Sequence, residues 1–171
     1  MYKLVVKLNN IHAKLTRTVI VPQNIKFNEL DSILRTIFGL SYLHLSIFEF
    51  PGLNTPLWDF EKTFPQERAM DMNEIPIRDY LGLFKKFYWT YDLGSSYIFT
   101  LSVRKANKKQ KSDHPFIESF ECDYQPIEDC HMSDFDEMLY YTLNDYRMPD
   151  YLPDFEMEKF NLDEVNEKLK L

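Results

Sequence analysis

The chain has 171 residues, 27 of them acidic and 20 basic, for a formal charge of −7 and a pI near 5.1. At roughly 170 residues one domain can bury about 70% of the surface its unfolded chain exposes, so neither a metal nor a disulfide scaffold is required for stability. The apolar runs fall far short of the roughly 20 residues that span a bilayer, which excludes a membrane span, and the acidic balance disfavours a nucleic-acid partner, bound through Lys and Arg on phosphates.

The first residues, Met1-Tyr2-Lys3-Leu4-Val5-Val6-Lys7, are interrupted by charge at once, whereas a secretory leader needs about 7 to 15 apolar residues in a row. The expectation is a cytoplasmic protein with reduced thiols. Cys122 and Cys130, with seven residues between them, fit neither a C-x-x-C redox pair nor a zinc knuckle.

In chain order, Tyr2 to Leu8 and Leu15 to Val21 read as a hairpin around Asn9-Asn10, stopped by Pro22. Phe27, Leu30, Ile33, Leu34, Ile37 and Phe38 follow at helical spacing, with Asn28 the expected cap and Gly39 the expected C-terminal stop. Leu43, Leu45 and Ile47 alternate with His44, Ser46 and Phe48, which predicts a strand. Pro51 to Pro65 reads as loop with a short strand near Trp58 and Phe60, and Ile75 to Leu83 as a short helix with Pro76 in its first turn.

Phe87 to Tyr91 and Tyr97 to Val103 give the clearest hairpin, with Gly94 the expected positive-φ position. A further strand is expected from Phe116 to Cys122. Ser133 with Asp136 resembles a capping box before a helix carrying Phe135, Met138, Leu139 and Leu143. Residues 149–171 read as an extended link and a docking helix, with Asn161 and Glu164 repeating the capping pattern. The sum is one α+β domain over residues 1–171, a mainly antiparallel sheet built from hairpins and packed by three to four helices.

Taken in order, several segments resemble the plasmid pRiA4b ORF-3-like family, some of whose members carry transposon-passenger or TnpR resolvase labels. They are Thr16 to Pro22, Phe38-Gly39, His44-Leu45, Phe48-Glu49-Phe50, Tyr91 to Gly94, Pro126 to Cys130, Asp154-Phe155, and Phe160 to Leu162 with Val165-Asn166 and Leu169. The resemblance implies an α/β-roll-like fold without an established activity. It also marks departures. Where relatives read Tyr-Asp-Phe-Gly-Asp-x-Trp-x-His, this chain has Tyr91-Asp92-Leu93-Gly94-Ser95-Ser96-Tyr97-Ile98-Phe99. The family's His-Leu-His is His44-Leu45-Ser46, and its Glu-Asp-x-Gly-Gly is Glu128-Asp129-Cys130-His131-Met132. Nothing here supports a serine recombinase, which needs arginines around its nucleophile to neutralise phosphate.

The candidate polar cluster is therefore His44, Asp92, Glu128, Asp129 and His131, with Cys130 beside it. Carboxylates with imidazole can ligate a divalent metal or act as an acid/base pair, and that chemistry would make a metal-assisted hydrolase or a nucleic-acid-processing accessory using Asp92, Glu128, Asp129 and His44. The plainer reading has Asp92 capping its turn, Glu128 and Asp129 capping a loop, and His44 satisfied on a strand. His12 and His114 show no partner at useful spacing.

Walker, G-x-G-x-x-G, G-x-S-x-G and H-E-x-x-H motifs are absent, and no cofactor is expected. Arg104 to Lys111 carries five cations in eight residues but no interleaved aromatic, so it reads as a solvated loop. Tyr140, Tyr141, Tyr146 and Tyr151 belong either to the core or to an exposed patch for a protein partner. The favoured reading is a cytoplasmic, mobile-element-associated binding or interaction module without catalytic or metal residues of its own.

Overall fold

Two β-branched segments, Tyr2–Leu8 (β1) and Thr16–Val21 (β2), pair antiparallel with Leu4 opposite Val19 and Val6 opposite Arg17. The structure, a computed structural model, describes residues 1–62, 68–107 and 112–170. The remaining strands are Ser46–Glu49 (β3), Leu57–Trp58 (β4), Met70–Asp71 (β5), Lys86–Tyr91 (β6), Tyr97–Lys105 (β7) and Phe116–Glu121 (β8). They form one sheet in the order β5-β4-β3-β6-β7-β1-β2-β8, antiparallel throughout except for β4 with β5. Leu4, Val6 and Leu8 are buried on one face, while Val5, Lys7, Thr100 and Ser102 line the other, the alternation of a sheet covered on one side.

Helix Phe27–Phe38 (α1) connects β2 to β3 and lays its apolar stripe on the buried face. Phe27 meets Phe48 at 5.1 Å between ring centroids, and Phe38 meets Phe99 at 4.5 Å. Gly39 ends α1 at φ 65°, where a side chain would be strained, and the Leu40 amide then returns to the Arg35 carbonyl. Three shorter or peripheral helices follow: Arg78–Leu81 (α2), Met132–Leu143 (α3) and Leu162–Lys168 (α4). Phe160, Val165 and Leu169 dock α4, whose first turn is capped by Asn161 Oδ1 accepting from the Glu164 amide. No helix among the described residues is long and apolar enough to cross a membrane.

Inside this apolar frame lies a charge pair. Asp31 and Arg35, 4% and 1% exposed, stand one turn apart on the buried side of α1, with Arg35 Nε donating to Asp31 Oδ2 at 2.7 Å. The other carboxylate oxygen accepts from the Trp89 indole at 2.8 Å and the Ser46 hydroxyl at 2.5 Å, while Arg35 also donates to Ser46 Oγ and to the Ser41 carbonyl. The ion pair is thus hydrogen-bonded from α1, β3 and β6 together, as a buried pair must be to offset its desolvation.

A second buried cation, Arg17, donates to the carbonyls of Thr16, Glu121, Cys122 and Tyr124 and lies 4.0 Å from the Phe160 ring centroid. Burial lowers its pKa to about 10, partly countered by Cys122 and Asp123. Its role is to hold the chain after β8 against the C-terminal segment.

The α+β fold stands as read from the sequence, and several local expectations are corrected. Lys26, not Asn28, is the N-cap of α1; its amide donates to Glu29, and Asn28 sits in the first turn with its side chain accepting from the Glu29 amide. Leu43 is 84% exposed and β3 begins only at Ser46, so His44 lies in a loop instead of on a strand. The β6–β7 turn places Asp92 and Ser96 at positive φ, 51° and 54°, and Gly94 is not among the positive-φ residues. His131 caps α3 by position; Ser133 lies inside the helix, and Asp136 is engaged elsewhere. Strand β5 follows no clear periodicity, and Lys108, Lys109 and Lys111 of the basic stretch lie outside the described residues.

Replacing Arg35 by Leu strands a buried carboxylate. The expected loss is about 3–5 kcal/mol, read from urea unfolding. The double replacement Asp31→Leu with Arg35→Leu is expected to recover a large part of that loss, because no unpaired charge remains.

Candidate functional site

The Ser41–Leu45 loop is where the buried pair reaches the surface. Arg35 donates to the Ser41 carbonyl, and the Ser41 amide donates to Glu128 Oε1 at 2.6 Å. Tyr91, at the end of β6, donates its hydroxyl to the same Glu128 oxygen, with the Arg35 guanidinium 4.9 Å from its ring centroid. From the other side Tyr97 donates to the Ile127 and Cys130 carbonyls, at 2.9 and 3.1 Å, and so positions the segment carrying Glu128 and Asp129.

His44 projects into this arrangement. Its Nδ1 is 3.6 Å from Asp92 Oδ1 and its Nε2 is 3.0 Å from Asp129 Oδ1, with the Tyr91 ring edge-on at 5.8 Å. Residues distant in sequence therefore converge: His44, Asp92 and Asp129 touch, and Glu128 adjoins them through Ser41 and Tyr91. His131 does not join them; it is exposed at the start of α3. Cys130 is buried, with its thiol directed to the His131 carbonyl at 3.5 Å, and burial followed by Asp134 pushes its pKa up to about 11. A thiol so held in its protonated form is a poor nucleophile.

The electrostatics show what each acid is doing. Burial would raise the Asp92 carboxyl, but hydrogen bonds from Ser95 and the Gly94 amide, then the charge of His44, outweigh it and hold it below its usual range. Glu128 behaves alike: burial opposes ionisation, and hydrogen bonds from Tyr91 and Ser41 overcome it. Burial, and then the Glu128 carboxylate, raise the Tyr91 phenol well above its ordinary value, so it serves as a donor. Asp92 and Glu128 spend oxygens on turn and loop amides, and each His44 nitrogen already faces a carboxylate. Among the described residues no group of three or more His, Cys, Asp or Glu side chains is placed to hold a metal ion.

A second polar constellation lies on the first half of α3. His12, in the β1–β2 connection, donates its amide to Asp136 Oδ1 at 2.7 Å and sets its ring Nδ1 2.5 Å from Oδ2. The partner that sequence spacing failed to reveal is 124 residues away. Beside this pair opens a groove of about 550 Å³ whose walls include Glu137, Tyr140 and Tyr141. Of the four tyrosines read either as core or as patch, Tyr140, Tyr146 and Tyr151 are exposed and Tyr141 is half-buried.

The eight-stranded mixed sheet with its crossover helix defines an α+β protein whose best-formed polar cluster is built into the scaffold. The chain belongs to the plasmid pRiA4b ORF-3-like protein family, whose model matches residues 1–168. Its fold is similar to that of a protein of unknown function, MM3350 from Methanosarcina mazei Go1, at a TM-score of 0.75 and 21% identity over 96% of each chain. No curated protein matches it.

Glu128 binds fewer protons folded than unfolded, so its contribution to stability is complete above its unfolded value near 4.5 and disappears as pH falls through the depressed folded value. Glu128→Gln is expected to lower the urea midpoint at pH 7 and to flatten its decline below pH 4.5. An acid limb as steep as wild type would remove Glu128 as a stabilising anion.

Proposed function

We propose that this protein is a binding module without catalysis of its own, and that its recognition surface is the groove beside α3 with the tyrosines at the helix end. The observation that carries the reading is the exposure of Tyr140 and Tyr146 next to an open groove. Tyr combines apolar area with a polar tip and loses little entropy on binding, which suits a protein–protein surface. A cytoplasmic setting and an association with mobile elements belong to the same reading, the second supported by the family the chain belongs to.

The rival reading is a metal-assisted hydrolase at His44, Asp92, Glu128 and Asp129, and the observation in its favour is the contact of His44 with two carboxylates. The oxygens spent on backbone amides weigh against it. Under the binding reading, the thermal midpoint of the purified protein is expected to be the same with and without EDTA. A midpoint that falls in EDTA, returns with Zn²⁺ and no longer responds in His44→Ala would establish the hydrolase reading's metal.

The binding reading is tested by selecting from a random-peptide display library on the full chain and rescreening on the Tyr140→Ala/Tyr146→Ala double variant. Surface substitutions of this kind change stability by only about 0.5 kcal/mol, so the variant is expected to fold as wild type, which circular dichroism checks. Recovered peptides are expected to bind wild type and lose binding to the variant. A selection that yields no tyrosine-dependent binder refutes the proposed surface.

A further inference from the structure

Resting on that reading, we infer that the segment held at the end of α3 is cationic, a peptide presenting Lys or Arg side chains to a tyrosine trio and its carboxylates. The trio is constructed by a chain reversal. Tyr140 and Tyr141 lie in the last turn of α3; Asn144 caps the helix and bonds back to the Tyr140 carbonyl, and Asp145 takes a left-handed φ of 55°. The Tyr146 amide then returns to the Tyr141 carbonyl at 2.9 Å, which brings its ring back against the helix. The three rings stand 5.8, 6.1 and 6.3 Å apart between centroids, all edge-to-face.

Four features give this surface one sign. Aromatic faces are negative and attract Lys or Arg within about 6 Å of the ring centroid. The Glu137 carboxylate lies in the adjoining groove, where both oxygens of Asp136 are already taken by His12, and Tyr151 donates its hydroxyl to Glu137, so the tyrosines and Glu137 form one surface. From Met132 to Glu158 the sequence holds eight acidic residues and one cation, Arg147, which is itself 3.4 Å from Asp150. The last turn of α3 has no basic residue to offset the partial negative charge of the helix C-terminus. An apolar or acidic partner would leave these charges unanswered, and a second copy of a chain at −7 would add repulsion. Charge complementarity thus selects a basic segment.

The test measures fluorescence polarisation of labelled oligo-arginine and oligo-lysine peptides on the full chain, with oligo-glutamate as the control of opposite sign. The basic peptides are expected to bind and to weaken as salt rises. Tyr140→Ala with Tyr146→Ala should weaken them roughly five- to tenfold, and Tyr140→Phe with Tyr146→Phe should leave them within about twofold, because the ring faces are kept. Glu137→Gln should weaken them by about threefold. Basic-peptide binding that is indifferent to the two alanines overturns the inference, as does concentration-dependent self-association through the same tyrosines in sedimentation. The display selection separates the two levels: tyrosine-dependent binders that are neutral or acidic sink the cationic partner and spare the module, whereas no tyrosine-dependent binder at all sinks both.

Discussion

One buried carboxylate organises this molecule. Asp31 sits under α1 where an apolar residue would cost nothing, and its two oxygens are satisfied by Arg35 of α1, Ser46 of β3 and Trp89 of β6. Apolar packing alone would tolerate small slips of α1 along the sheet, since methyl and ring contacts are non-directional. A carboxylate held at 2.5 to 2.8 Å by groups on three elements does not, because any slip exposes a desolvated charge. Position is gained at some expense in net stability.

The consequences run outward along Arg35. Its bond to the Ser41 carbonyl fixes the loop after Gly39, the Ser41 amide fixes Glu128, and Glu128 takes the Tyr91 hydroxyl. By the time the chain reaches His44, the ring has one place to go, between Asp92 and Asp129. What looks from the surface like an assembly of acid and base groups is the outer edge of a structural network. Arg17 of β2, with its guanidinium 5.6 Å from the Phe38 ring centroid, plays the corresponding part for the chain after β8. It answers backbone carbonyls and aromatic rings instead of a carboxylate, and its Nε makes no hydrogen bond among the described residues. The two arginines tie in segments that follow regular elements, residues 40–45 after α1 and 122–125 after β8.

Much of this was legible in the sequence where local physics decides it. The hairpins follow from alternation, α1 from its apolar period, and the Asn161 cap from its own side chain. Leu43, Leu45 and Ile47 alternate as strand residues do, yet His44 lies in a loop, because Arg35 on the preceding helix and Glu128, 87 residues from Ser41, tether that loop. Asp92 stands at positive φ in place of glycine with its side chain accepting the Gly94 amide, the turn-capping bond that an Asx residue at that point in the sequence leads one to expect. The network that matters most did leave a trace. Phe27, Leu30, Asp31, Leu34, Arg35 and Phe38 fall at the i, i+3, i+4, i+7, i+8, i+11 positions of one helical face, so an Asp–Arg pair one turn apart lies within the apolar stripe. Charges at that period mark a buried ion pair, which the apolar members of the stripe do not show by themselves.

The tyrosine surface escaped assignment for a different reason. Tyrosine is as much at home in a core as on a surface, and α3 carries Phe135, Met138 and Leu139 inward while Tyr140 follows immediately. Only the reversal at Asp145, which returns Tyr146 to the helix end, separates the two outcomes. That reversal stands near the groove where Asp136 is held by His12, so the helix is anchored by a long-range dyad and its apolar side while Tyr140 and Leu143 in its last turn remain exposed. The scaffold thus keeps its acids at the His44 cluster satisfied from within and leaves Tyr140, Tyr146 and Glu137 facing solvent. An unanswered surface of that sign on a rigidly held helix is the physical basis for reading recognition there and structure at the other site.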